Sequence, residues 1–124
     1  MDLRMRICVL EDNNDIREIV EFLLESEQYE VFSYANVCDF MNGALTRQAN
    51  AFVLDVMLPD GNGIEVCKVL KSLPETMHIP VLMMSANYST TDANYNCSAE
   101  DFIKKPFDIV DFVNRVDLQT GKIR

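Results

Sequence analysis

The chain has no closely spaced cysteine pair. Cys8, Cys38, Cys67 and Cys97 stand about thirty residues apart, without the CxxC spacing of a zinc site, so reduced core thiols are the expected reading. No apolar run approaches the ~20 residues of a membrane span. The start, Met1 to Arg6, is short and mixed in charge and does not read as a leader, so a cytoplasmic location is expected. Basic residues are scarce, 11 Lys and Arg against 20 Asp and Glu, for a net charge of -9. That sign opposes a phosphate backbone, and neither direct nucleic-acid binding nor membrane association is expected. No repeat, linker or low-complexity stretch divides the 124 residues, which suit one domain over residues 1–124.

What is present is the mix of a folded globular domain, 48% hydrophobic and 25% charged residues. Apolar runs at Ile7–Leu10, Val31–Tyr34, Ala51–Leu54, Val81–Met84 and Phe102–Ile103 predict five strands. Between them, Ile16, Ile19, Val20, Leu23 and Leu24 form one helical stripe, and Val37, Phe40, Met41, Ala44 and Leu45 another. A third helix is predicted from Gly63 to Leu73, through Val66, Cys67, Val69 and Leu70, and ended by Pro74. A last one starts at Asp108 as N-cap and runs through Ile109, Phe112, Val113 and Val116 towards Gly121. Strands that are apolar throughout, alternating with helices, point to a parallel sheet covered on both faces. One stretch breaks the pattern. Between Ser85 and Phe102, where a fourth helix belongs, weak helix formers dominate and no apolar spacing is visible, which predicts a short or irregular helix over Tyr88–Ala99.

In an open parallel sheet, ligands bind beyond the carboxyl ends of the strands, where the winding reverses. Glu11 and Asp12 follow the first strand and Asp55 the third. If the strand order is 2-1-3-4-5, those strands are neighbours and three carboxylates converge. Their mutual repulsion calls for a cation, and a hard ion such as magnesium takes carboxylate or carbonyl oxygens while leaving positions for a phosphate. Phosphoryl transfer then needs a carboxylate nucleophile, a second cation and a hydroxyl. Lys105 and Ser85, at the ends of strands five and four, can supply the last two.

The run AspValMetLeuProAspGlyAsnGly from Asp55 to Gly63, the pair Glu11 and Asp12, the SerAla at Ser85 and Ala86, and the LysProPhe from Lys105 to Phe107 stand in one register along the chain. Together they resemble the receiver domain of two-component response regulators, from Arg6 to about Val116. The resemblance implies an α/β, flavodoxin-like, doubly wound five-stranded parallel sheet of order 2-1-3-4-5. It implies Asp55 as phosphoacceptor, with magnesium held by Glu11, Asp12, Asp55 and the backbone carbonyl of Met57. Ser85 and Lys105 would contact the phosphoryl oxygens, Ser85 and Phe102 would form the switch, and Met57 and Asn87 would tune the phosphoaspartate's lifetime. The domain would catalyse its own phosphotransfer and dephosphorylation without being an enzyme in the ordinary sense. A sensor histidine kinase or phosphotransfer protein, an output domain or partner protein, and a second copy are the implied partners. The Lys105–Pro106 bond is expected to be cis.

The chain also departs from the pattern: Ser98 replaces a usual glycine, Glu11 stands where Asp is also common, and the spacing from Ser85 to Phe102 is two residues short. Singly, each residue has a plainer reading. Asp55 could be a turn acid, Glu11 and Asp12 loop acids beside a cap at Asn13 or Asn14, Ser85 a strand-end hydroxyl and Phe102 core. Lys104, His78 and the seven methionines read as a solvated charge, loop filler and core packing respectively. Register reverses the prior for the acids. A phosphatase of the haloacid-dehalogenase type would want an acid where Met57 stands, and a flavodoxin would not place acids in its phosphate loop. The remaining alternative is an unphosphorylated receiver-like interaction module.

Overall fold

The computed structural model describes residues 3–86 and 96–122. Five parallel strands form one sheet: β1 (Arg6–Leu10), β2 (Glu30–Tyr34), β3 (Ala51–Asp55), β4 (Val81–Ser85) and β5 (Asp101–Lys104), in the order β2-β1-β3-β4-β5. Residues of β1, β3 and β4 alternate between two cores. Cys8, Leu10, Phe52, Leu54, Val81 and Met83 face one side; Ile7, Val9, Ala51, Val53, Leu82 and Met84 face the other. Both faces being covered explains why these strands read as continuous apolar runs.

Helices α1 (Asn14–Ser26), α2 (Val37–Gly43) and α3 (Gly63–Ser72) and a C-terminal helix (Ile109–Thr120) supply the cover. Phe40, Ile64, Cys67 and Leu70 from α2 and α3 fill one core, while Val20, Leu24, Phe112 and Val116 from α1 and the last helix fill the other. Each helix begins on a side-chain cap, from Asn13, Asn36, Asn62 and Asp108 in turn. A cap of this kind contributes roughly 1 kcal/mol by satisfying an amide that has no helical partner. The last helix ends at Gly121 in the left-handed conformation, as glycine at that position allows.

Several expectations need correction. Helix α2 is shorter than its stripe, because Ala44–Thr46 tighten into a 3₁₀ turn. Ile19 and Ile109 are exposed rather than core, since they sit at the margins of their stripes, and Val69 is likewise exposed. The methionines divide: Met83 and Met84 are fully buried, whereas Met57, in a two-residue strand after Asp55, and Met77, in a turn, are exposed. Cys38 is exposed at the start of α2, while the other three cysteines are buried. His78 and Lys104 are solvated, as expected. Asn96–Ala99 are not helical; the rest of the expected irregular helix, and Asn87, lie outside the described residues. None of the described helices is long and apolar enough to cross a membrane.

Candidate phosphoryl and metal site

β1 and β3 are adjacent and in register, Leu10 beside Leu54, so the residues that follow them emerge side by side. Carboxylate oxygens of Glu11, Asp12 and Asp55 lie within 4.8 Å of one another. At that separation two unit charges repel by about 3.5 kcal/mol even at an effective dielectric near 20. Glu11 is wholly buried, Asp55 nearly so, and Asp12 is exposed.

The opposing charge comes from the residue that follows β5. The Lys105 Nζ reaches Glu11 Oε1 at 2.5 Å and Asp55 Oδ1 at 3.1 Å. Its backbone is pinned by the Lys105 N–H donating to the Ser85 carbonyl at 2.9 Å, and the Lys105–Pro106 bond is cis. Burial pushes the Glu11 carboxyl above its ordinary range, and the Lys105 hydrogen bond and the Asn13 amide only partly offset it; the nearby Asp55 charge adds to the rise. Burial would lower the Lys105 ammonium, but the Glu11 hydrogen bond and the charges of Asp55 and Glu11 together raise it. It is held as a cation.

Three carboxylates against one ammonium leave two excess negative charges when all are ionised. A divalent cation matches that excess, and a hard oxygen-only cluster open to solvent at Asp12 suits magnesium, which keeps several waters. The donor set therefore fits the ion that the sequence implied.

The structure brings Ser85 to the same edge. It ends β4, buried, in the strand next to that of Asp55, and pairs with Lys104 across β5. Phe102 lies deeper on β5, opposite Met83 and half-buried against the α3-side core. Met57 follows Asp55 in a two-residue ladder with Asn62, its side chain 71% exposed.

Three positioning residues escaped the sequence reading. The guanidinium of Arg17, one turn into α1, donates to the Glu11 carbonyl at 2.9 Å and to Asn14 Oδ1 at 2.6 Å, holding the acidic loop in place. Asp60 accepts from the Val37 and Cys38 amides, tying the loop after Asp55 to the start of α2; those two hydrogen bonds hold its carboxyl below the usual range. Gly63 lies so close to the Asp55 carbonyl that a Cβ there would sit 1.9 Å from the oxygen. Asp60 and Gly63 both stand in the run quoted above, but without the roles the structure gives them.

Residues 7–117 match the family described as response regulator receiver domain. A probable transcriptional regulatory protein of Picosynechococcus sp. is 35% identical over 93% of this chain and 49% of its own length. The response regulator ArlR of Staphylococcus aureus is 31% identical over 90% of this chain and 50% of its own. The receiver domain of sensor histidine kinase PA1611 from Pseudomonas aeruginosa, crystallised with magnesium in its active-site cleft, superposes with a TM-score of 0.87. It does so at 21% identity, over 96% of this chain and 99% of that one. The chain belongs to the response-regulator receiver family, and its fold is the flavodoxin-like doubly wound sheet. It is a receiver domain of two-component signalling, a class that works with histidine kinases or phosphotransfer proteins, and it spans about half the length of the curated relatives it matches.

Proposed function

We propose that this domain accepts a phosphoryl group on Asp55 in a magnesium-dependent reaction and signals through the surface around β5. The observation that carries the reading is Lys105, whose ammonium bridges the buried Glu11 and the candidate nucleophile Asp55. Glu11, Asp12, Asp55 and the Met57 carbonyl would hold the ion. When bound, it neutralises the carboxylates and offsets charge on the phosphoryl oxygens.

The protein's own groups do the rest. A carboxylate oxygen of Asp55 attacks phosphorus, forming the O–P bond as the bond from phosphorus to the donor breaks; the electron pair leaves on the donor's histidine nitrogen or acyl oxygen. Lys105 Nζ and the Ser85 hydroxyl donate hydrogen bonds to the phosphoryl oxygens. Movement of Ser85 towards the phosphoryl group and inward rotation of Phe102 then alter the β5 surface, which a partner protein, an attached output domain or a second copy would read. The same site hydrolyses the phosphoaspartate. Nothing in this scheme needs a membrane or nucleic acid, and it suits a cytoplasmic protein.

Incubation with acetyl phosphate and magnesium, read by intact mass, tests the assignment. Wild type should gain one phosphoryl group and Asp55→Asn none; labelling of that variant would overturn it. Magnesium at ten times its Kd should stabilise wild type by about 1.4 kcal/mol, and Asp12→Asn should lose that gain at the same concentration. An undiminished gain would move the ion elsewhere.

A further inference from the structure

The second feature lies away from the acids, in the α3-side core. Cys67, in the middle of α3, is fully buried, and Cys97, on the chain entering β5, is 4% exposed. Both belong to one cluster with Leu70, Val81 and Met83. The Cys67 thiol donates to the Cys97 carbonyl at 3.2 Å, so the two residues touch. Direct contact is the first requirement for a disulfide. On either side of Cys97, Asn96 and Ser98 are exposed, so a small oxidant has one residue's depth to cross.

From this placement we propose that Cys67 and Cys97 are an oxidisable pair, which closes a reversible disulfide between α3 and the chain entering β5 on exposure to a peroxide.

The two thiols are unequal in a way that assigns their roles. The Cys67 side chain beside it brings the Cys97 thiol down to about 7 against its burial, with further help from the Ala99 amide and the Lys68 charge, while Glu100 opposes. The same pairing and burial push Cys67 far up. Cys8, buried without such a partner, is pushed up to about 12 and stays inert. Cys97 therefore reacts first. Its thiolate attacks one oxygen of hydrogen peroxide, the O–O bond breaks, and a sulfenic acid forms as hydroxide leaves and takes up the proton that the Cys97 thiol released. The Cys67 sulfur then attacks the Cys97 sulfur and displaces hydroxide, which takes the Cys67 proton. Two thiols and one peroxide give one disulfide and two waters; the sulfurs lose two electrons and the peroxide gains them.

The bond would tie Cys97, four residues ahead of β5, to the helix that begins at Gly63 beside Asp55. It would thus restrain the chain that carries Phe102 and Lys105.

The test uses the full chain, reduced, then treated with hydrogen peroxide, denatured in an alkylating agent and mapped as non-reduced peptides. The expected result is a loss of two hydrogens in intact mass, a Cys67–Cys97 peptide pair that dithiothreitol dissolves, and alkylated Cys8 and Cys38. Cys67→Ser, which keeps a hydrogen-bond donor but has no sulfur to resolve the intermediate, should instead leave a Cys97 sulfenic acid that dimedone labels. Linkage through exposed Cys38, or both thiols intact at a dose that oxidises Cys38, would overturn the pairing; the wild-type map decides this even if the variant fails to fold.

Discussion

Each end of the sheet buries an acid, and the two acids differ in their surroundings. At the amino end, Asp117 from the last helix is 4% exposed and accepts a hydrogen bond from the Tyr29 hydroxyl at 2.6 Å, while Tyr29 also meets Thr120 at 2.9 Å. At the carboxyl end, Glu11 is equally buried but shares its space with Asp12, Asp55 and a single ammonium. The first is an acid that accepts a hydrogen bond from a buried hydroxyl and belongs to no cluster of like charges among the described residues. The second belongs to a cluster with more negative charge than its partners cancel. Burial of a charge alone does not identify a site; convergent like charges at the end of adjacent parallel strands do.

The largest effect expected of a single change separates the two ends by packing. Gly63→Ala drives a methyl into the Asp55 carbonyl, where backbone rather than a flexible side chain is in the way. It should destabilise the domain by about 3 kcal/mol, seen as a lower denaturation midpoint in urea. A wild-type midpoint would mean that the loop has room the geometry does not show.

Next comes Lys105→Met, which removes a donor expected in the transition state. Phosphotransfer from acetyl phosphate should slow by about 100-fold, equivalent to about 2.7 kcal/mol. A rate within threefold of wild type would reduce Lys105 to a structural counter-charge and erase the contrast with Asp117.

Tyr29→Phe is the complementary change. Deleting the hydroxyl leaves Asp117 short of one hydrogen bond and should cost roughly 1–2 kcal/mol of stability. The transfer rate at saturating magnesium should not change. A slowed rate would show that the amino end is coupled to the site after all.

The smallest effect belongs to Ser98, held at φ 65° where the family usually places glycine. Ser98→Gly should relieve strain and raise stability by about 0.5–1 kcal/mol in thermal unfolding. A loss of stability would show that the serine side chain contributes more than its backbone strain costs.

Much of this was legible in the linear chain because it depends on local or periodic chemistry. β3 and β4 announce themselves as unbroken apolar runs, since both their faces are buried, and Asn13 and Asp108 mark helix starts because a side-chain oxygen must meet free amides there. The candidate site was legible in part for a different reason: Glu11, Asp12, Asp55 and Lys105 each follow a strand, and a parallel sheet gathers strand ends. Arg17 was not legible, because an arginine on an amphipathic helix is ordinarily a solvated charge, and only the fold turns it towards the Glu11 carbonyl. Asp60 drew no separate reading within its run, because its tie to the Val37 and Cys38 amides is made only across the fold. Ile19 and Ile109 misled in the other direction: periodicity says that a stripe exists, but the width actually covered depends on what packs against it.

By itself, then, the sequence determined the order and type of the main described elements, the end of the sheet where chemistry collects, and the residue types available there, because hydrophobic period, capping and turn chemistry act over a few residues. Only the tertiary structure decided which acids share one pocket, which lysine bridges them, and that Cys67 and Cys97, thirty positions apart, touch. Those contacts arise from strand register and helix docking, which bring together groups that no local pattern links.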